Sequence, residues 1–244
     1  MTEIYNNPKR LRNITATEMS ALLGVNPYSS PAKVLENKLN PKKFENISMR
    51  IGNLMEQAVL KAFDLDLGMG GVEPWSQGTV VAKDDRIAAT PDGIIINKHY
   101  SAMVEAKTTR SQYFEKWYSA VPKYYHLQVL VQMMVTGSDK GYIGVLEVGD
   151  PDICEWRFCA WEIFKNEEIE VLMKQEVKRF WESADLHNKT IRVDSNVKKR
   201  VVELLENPEA SLILYPNKET IQKAREEKVL NEVKNLPKFL PLFK

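Results

Sequence analysis

Cysteine is scarce: the chain has two, Cys154 and Cys159, in 244 residues. That excludes a disulfide scaffold and fits a reducing compartment, with the cytoplasm as the expected location. On one regular strand their odd separation would place them on opposite faces, unable to share a metal. Histidine numbers only three, and none stands at ligand spacing from His126, which reads as an ordinary helical residue. No apolar run approaches the length of a membrane span, and residues 1–7 lack the apolar core of a signal peptide. Glycine-rich residues 68–71 lack the Gly-Lys-Ser/Thr ending of a phosphate-binding loop and read as a flexible connection. An excess of charge of one sign is also missing. A net charge of +1 excludes a uniformly basic surface, so a nucleic-acid partner would have to be held by local positive charge or by shape and enclosure. Internal repeats and low-complexity segments are absent.

What is present is ordinary for a globular protein: 43% hydrophobic and 27% charged residues, enough for a substantial core. We expect one compact domain over residues 1–190 and a helical C-terminal extension over 191–244. Residues 8–12 form a basic cluster. A short helix should run from Ile14 through Leu23, capped by Thr15 or Thr17, with Glu18 placed for a capping box and Gly24 as its stop. Pro31 suits the first turn of a helix reaching about Lys38. A longer helix is expected from Ile47 to Asp66, where Ile47, Ile51, Leu54, Met55, Ala58 and Ala62 recur as a core-facing stripe. Glu56 borders that stripe, and Gly52, one turn earlier, offers room for close approach.

Residues 79–82 and 86–89 alternate about 83–85 as a hairpin would, and lead into a strand over 93–97. Three or four successive antiparallel strands are therefore expected in this region. Gln112 to Trp117 reads as helical, and Pro122 starts a long helix to Thr136, ended by Gly137. On that helix Gln128 and Gln132 share a side with Tyr125, Val131 and Val135. By composition they are two partly exposed amides, which need partners if buried. Strands over 142–148 and 153–163 follow, joined by residues 149–152. A helix from Lys165 to about Ala184 then presents Ile169, Leu172, Met173, Val177, Phe180 and Trp181 as its apolar face. From Asn196 onward come two charged helical stretches split by Tyr215 and Pro216. The apolar, proline-spaced tail suits docking on its own domain, a neighbouring subunit or a partner.

Chemistry concentrates in Thr90-Pro91-Asp92-Gly93 and Val104-Glu105-Ala106-Lys107. On a strand Glu105 and Lys107 point the same way and Ala106 the other. Residues 98–101 make a short polar loop, and folding the hairpin brings Asp92 level with Glu105. Two carboxylates and a nearby backbone carbonyl, that of Ala106, form an all-oxygen site suited to Mg²⁺ or Mn²⁺. Such a metal polarises a phosphate and helps ionise water, and Lys107 is placed to orient that water and stabilise negative charge. The plainer alternative is a turn followed by a solvated strand face.

These two motifs, in this order and spacing, resemble the core of the PD-(D/E)xK nuclease superfamily, and more narrowly the YqaJ-type viral recombinases and phage lambda exonuclease. The resemblance runs from about Arg10 to about Trp181. It implies a mixed central sheet flanked by helices. It implies a metal-dependent exonuclease that degrades the 5′-ended strand of linear duplex DNA and leaves a 3′ overhang for recombination. Met49-x-x-Gly52-x-x-x-Glu56 is similar to the helical glutamate motif of this group, which brings Glu56 into the metal network. The stretch from Tyr124 to Gly137 resembles the motif whose glutamine leans on the active site, and Gln128 is the match. Residues 10–17 are similar to the segment that holds the terminal 5′-phosphate, with Arg10 and Thr17 in the matching places. Arg50, Thr109 and Arg110 are further phosphate-contact candidates. The resemblance also implies double-stranded DNA ends as substrate, a ring of three subunits and a single-strand annealing protein as partner. A four-cysteine iron–sulfur relative does not fit two cysteines. An endonuclease and a non-cutting binder of DNA ends remain as alternatives.

Overall fold

The structure, a computed structural model, describes residues 7–41, 46–67, 71–82, 84–96, 101–148, 157–185, 191–206 and 210–214. Helix α1 (Pro8–Leu11) and strand β1 (Ile14–Thr15) precede helices α2 (Ala16–Leu22), α3 (Pro31–Leu39) and α4 (Ile47–Leu67). Strands β2 (Val72–Pro74), β3 (Val80–Ala82), β4 (Ile87–Ala89), β5 (Gly93–Ile96) and β6 (Ser101–Thr109) follow. Then come α5 (Ser111–Ser119), α6 (Lys123–Thr136), β7 (Lys140–Glu147), β8 (Phe158–Phe164), α7 (Glu167–Asp185), α8 (Ser195–Leu204) and β9 (Ala210–Leu214).

Among the described residues the strands form two sheets, ordered β2-β5-β6-β7-β8-β9 and β1-β4-β3. The large sheet is mixed: β5 and β6 are antiparallel, β6 and β7 parallel, β7 and β8 antiparallel. This is the α/β class, the mixed sheet flanked by helices that the resemblance implies. The expected run of successive antiparallel strands is split, however. β3 and β4 pair as a hairpin, but in the small sheet, where β1 lies parallel to β4. In the large sheet β5 is flanked by β2 instead. From β6 the chain crosses over through α5 and α6, the long connection that a parallel neighbour requires.

The large sheet is packed on both faces, because successive residues of a strand face opposite ways. Ile143, Val145, Cys159, Trp161 and Ile163 join a core with residues of α2, α6 and α7. Tyr142, Leu146, Phe158 and Ala160 join a second core with Val59, Leu60 and Phe63 of α4. Two glycines of β7 permit this. A Cβ on Gly141 would lie 2.5 Å from Val129 of α6, and one on Gly144 would lie 2.4 Å from Phe63 of α4.

Local expectations are adjusted in several places. Ile14 and Thr15 do not begin the helix. The Ile14 N–H donates to the Arg86 carbonyl at 2.9 Å, and the pair forms a strand beside β4. Thr15 still takes part in the box, its N–H donating to the Glu18 carboxylate at 2.8 Å. The apolar stripe of α4 is core-facing only in its second half: Ile47 is 63% and Leu54 79% exposed, whereas Val59 and Phe63 are fully buried. Periodicity reports an apolar face, not how far a neighbour covers it. Nothing lies within 4 Å of a Cβ built on Gly52, so no described element approaches it.

The first compact unit runs from Met1 to Ile213, and Val201 of α8 and Leu205 are buried in the same core as α6 and α7. Residues 210–214 form a strand at the sheet edge, where the sequence pattern suggested only helix. Residues 68–70, 83, 98–100 and 149–152, Cys154, and the tail beyond residue 214 lie outside the described residues.

Candidate active site

The register of β5 and β6 builds the centre. Gly93 pairs with Val104, so Asp92 stands beside Glu105 one step beyond. The Asp92 N–H donates to the Val104 carbonyl at 3.2 Å, and the Ala106 N–H donates to Asp92 Oδ2 at 2.8 Å. One peptide of β6 thereby fixes the Asp92 carboxylate. Glu105 and Lys107 share a face, and the Lys107 ammonium donates to Glu105 Oε1.

That face looks towards α6. Gln128 donates to Glu105 Oε1, and Gln132, one turn later, donates to Glu105 Oε2. The two amides are not partly exposed: Gln128 is 8% and Gln132 0% accessible. They are buried because the charged Glu105, itself 1% exposed, supplies the partner that a buried amide needs. The resemblance gives a site role to Gln128 and none to Gln132. The signal was its spacing from Gln128, which puts both on one side of a helix. The side-chain carbonyl of Gln132 is buried without a hydrogen-bond partner among the described residues.

The electrostatics are those of a cluster short of positive charge. Burial, and then the Glu105 charge, push the Asp92 carboxyl well above its ordinary value. Burial and Glu105 raise Glu56 as well, with Lys107 opposing, which places Glu56 of α4 within the electrostatic reach of the pair. Burial alone would pull the Lys107 ammonium down, but Glu105 and Asp92 outweigh it and hold it above its usual range. His126 faces none of this chemistry: burial draws it down to about 4.

A second feature adjoins the first. Arg10, Thr15, Thr17, Thr79 and Thr90 line a small cleft together with Gln128. The two residues expected to hold an end phosphate therefore share a cavity with a residue that grips Glu105. Its rim is braced from α3. The buried Lys38 ammonium donates to the Arg10 carbonyl at 2.6 Å, the Asn13 carbonyl at 2.7 Å and Glu18 at 2.5 Å. Arg50 is exposed on α4, Arg110 is the N-cap of α5, and Thr109 ends β6. Among the described residues no hydrogen bond or ion pair ties these three to the carboxylate cluster.

The donor set fits a hard divalent cation. No three His, Cys, Asp or Glu side chains among the described residues converge as a metal-holding group. Asp92 and Glu105 offer two carboxylates, and Mg²⁺ typically takes one or two from the protein and completes its shell with water and phosphate oxygens. Asp92 and Glu56 are raised first by burial and then by the Glu105 charge, and a bound cation would favour their charged forms against both.

Comparison with known proteins agrees with this architecture. An alkaline exonuclease from Laribacter hongkongensis superposes with a TM-score of 0.58 at 18% identity, covering 84% of this chain and 100% of that one. Its complex with dAMP gives 0.58 at 17%, with the same coverage. A phage related exonuclease from Haemophilus somnus 129PT gives 0.54 at 11%, covering 79% and 96%. At such identities these structures establish the fold alone, a mixed sheet flanked by helices. No curated protein matches the chain. No helix among the described residues is long and apolar enough to cross a membrane. The model of the YqaJ-like viral recombinase domain matches residues 7–139, more than half of the sequence, and the chain belongs to that family.

Proposed function

We propose that the protein is a metal-dependent DNA exonuclease that degrades the 5′-ended strand of linear duplex DNA, leaving 3′ overhangs for recombination. The observation that carries this reading is the pairing of Asp92 with Glu105 across β5 and β6, with Lys107 on the same carboxylate. Asp92, Glu105 and the Ala106 carbonyl are the ligands for Mg²⁺ or Mn²⁺. When bound, the cation polarises the scissile phosphate and lowers the pKa of water. Lys107, held charged, orients the attacking water and stabilises the charge that develops on the phosphate. Gln128 and Gln132 fix the Glu105 carboxylate, and Glu56 completes the acidic cluster. Arg10 and Thr17 hold the terminal 5′-phosphate in the cleft they share with Gln128. Arg50, Thr109 and Arg110 contact other backbone phosphates.

By family resemblance three copies enclose the duplex, and a single-strand annealing protein takes up the overhang. Enclosure would keep a chain of net charge +1 on its track where charge alone would not.

The test is linear duplex DNA labelled at either end, incubated with and without Mg²⁺, beside a closed circle. Early loss of the 5′ label, dependence on the metal and an intact circle support the exonuclease. A cut circle indicates an endonuclease instead. DNA binding without any cutting in Mg²⁺ or Mn²⁺ indicates a binder of DNA ends.

A further inference from the structure

Tyr28 is 82% exposed, yet it is the outer member of a row of rings. It meets Tyr124 edge-on, with centroids 6.1 Å apart. Tyr124 lies 4.3 Å from Tyr125. Tyr125 stacks on Trp117 at 5.6 Å, and the Lys107 ammonium lies 5.0 Å from the Tyr125 ring centre. The row thus runs from solvent to the Lys107–Glu105 pair. Its parts come from separate places in the chain. Tyr28 follows α2, in a loop where its N–H donates to the Asn26 side chain at 2.8 Å. Tyr124 and Tyr125 belong to the first turn of α6, which carries Gln128 one turn further on.

A single exposed tyrosine needs no explanation. This one is backed by a second ring, and that ring is continuous with a third that touches the lysine of the candidate site. Arg10, Thr17 and Lys107 offer contacts only to phosphates. A charge-independent contact gains weight in a chain whose net charge is +1, since uniform electrostatic grip is weak and easily screened. Stacking on an aromatic ring is such a contact. It is tolerant of sequence, because every base has a π-face, and so suits an enzyme that must cut whatever sequence an end presents.

We propose that Tyr28, backed by Tyr124, is a stacking subsite for a nucleobase of the DNA strand whose phosphate is presented to Lys107. The identity of that strand rests on the nuclease reading; the stacking itself does not.

The experiment uses the full chain as wild type, Tyr28→Phe and Tyr28→Ala. Each is mixed, in EDTA, with a 5′-phosphorylated duplex carrying 2-aminopurine at the first, second or third nucleotide. Wild type and Tyr28→Phe should change the fluorescence at one of these positions, and Tyr28→Ala should not. Affinity of Tyr28→Ala should fall about fivefold or more, with an unchanged slope of log affinity against log salt, because no phosphate contact is lost. Equal affinity and equal fluorescence in Tyr28→Ala would overturn the proposal. So would a bound duplex whose fluorescence never changes with wild type, or no binding at all. Cutting is scored separately in Mg²⁺. A wild type that shows the Tyr28-dependent change but never cuts removes the nuclease reading and leaves the subsite. A wild type that cuts, with Tyr28→Ala unaltered in binding and rate, removes the subsite and leaves the nuclease.

Discussion

Gln132 donates its amide to Oε2 of Glu105, the carboxylate oxygen that neither Gln128 nor Lys107 takes. A carboxylate has about four lone-pair sites. Two donors reach Oε1 and one reaches Oε2, so Oε2 is the oxygen with room for a further contact. Gln132→Leu should therefore lower activity by about 10- to 100-fold, the usual cost of losing a residue that orients a ligand, and raise the Mg²⁺ concentration needed for half-maximal rate. Gln132→Glu should be worse, since it adds one more carboxylate against Glu105. A Mg²⁺ titration of the cutting rate, beside a calorimetric titration of the metal, reads both. A wild-type metal dependence in Gln132→Leu would reject the role.

Lys107→Ala should abolish cutting, a loss of at least about 10²-fold, while far-UV circular dichroism and DNA affinity stay close to wild type. Glu105 keeps its two glutamine partners in that variant, which limits the cost of losing the ammonium. Full activity in Lys107→Ala would remove the central assignment.

Arg10→Ala should reduce the preference for 5′-phosphorylated over 5′-hydroxyl ends, and Thr17→Val should act in the same direction more weakly. The charged contact is the stronger of the two. The quantity measured is the ratio of initial rates on the two substrates. An unchanged ratio in both variants would place the end phosphate elsewhere.

Gly144→Ala should destabilise the protein by about 1–3 kcal/mol, the range for overpacking a closed core. The added methyl would sit 2.4 Å from one Phe63 ring carbon and 2.7 Å from another. Adding Phe63→Leu to the alanine variant should restore part of the loss. Urea denaturation of the single and double variants measures it; additive losses would mean that the two positions do not share this contact.

His126 makes stability depend on pH. Burial lowers its folded pKa to about 4 from the ordinary imidazole value of about 6.5. Between those values the unfolded chain holds a proton that the folded chain does not, so acid favours unfolding. The contribution is intact above about pH 6.5 and is lost as pH falls to about 4, at about 1.4 kcal/mol per pH unit. His126→Leu should lack that component. Urea midpoints at pH 7 and pH 5 should differ less in the variant than in wild type; equal differences would assign the acid sensitivity to other groups.

What the sequence determined by itself was local. Pro31, Pro122 and Gly137 fixed where helices begin and end, because proline presets one dihedral and lacks a donor, while glycine accepts the left-handed turn at φ 73°. Strand alternation put Glu105 and Lys107 on one face, and a short loop made Asp92 their neighbour. Those relations span few residues and need only backbone geometry. The tertiary structure decided the rest. It chose which face of β6 lies under α6, and so turned Gln128 and Gln132 from surface amides into the buried grip on Glu105. It separated β3 and β4 from the sheet of β5, since β2 takes the free edge of β5 and β1 takes that of β4. It left Ile47 and Leu54 exposed although they lie in a regular apolar stripe. It drew Lys38 under Arg10, and Tyr28 beside Tyr124, across stretches of chain that carry no common pattern. Each of these depends on which surfaces meet, and periodicity along one element holds no record of its partner.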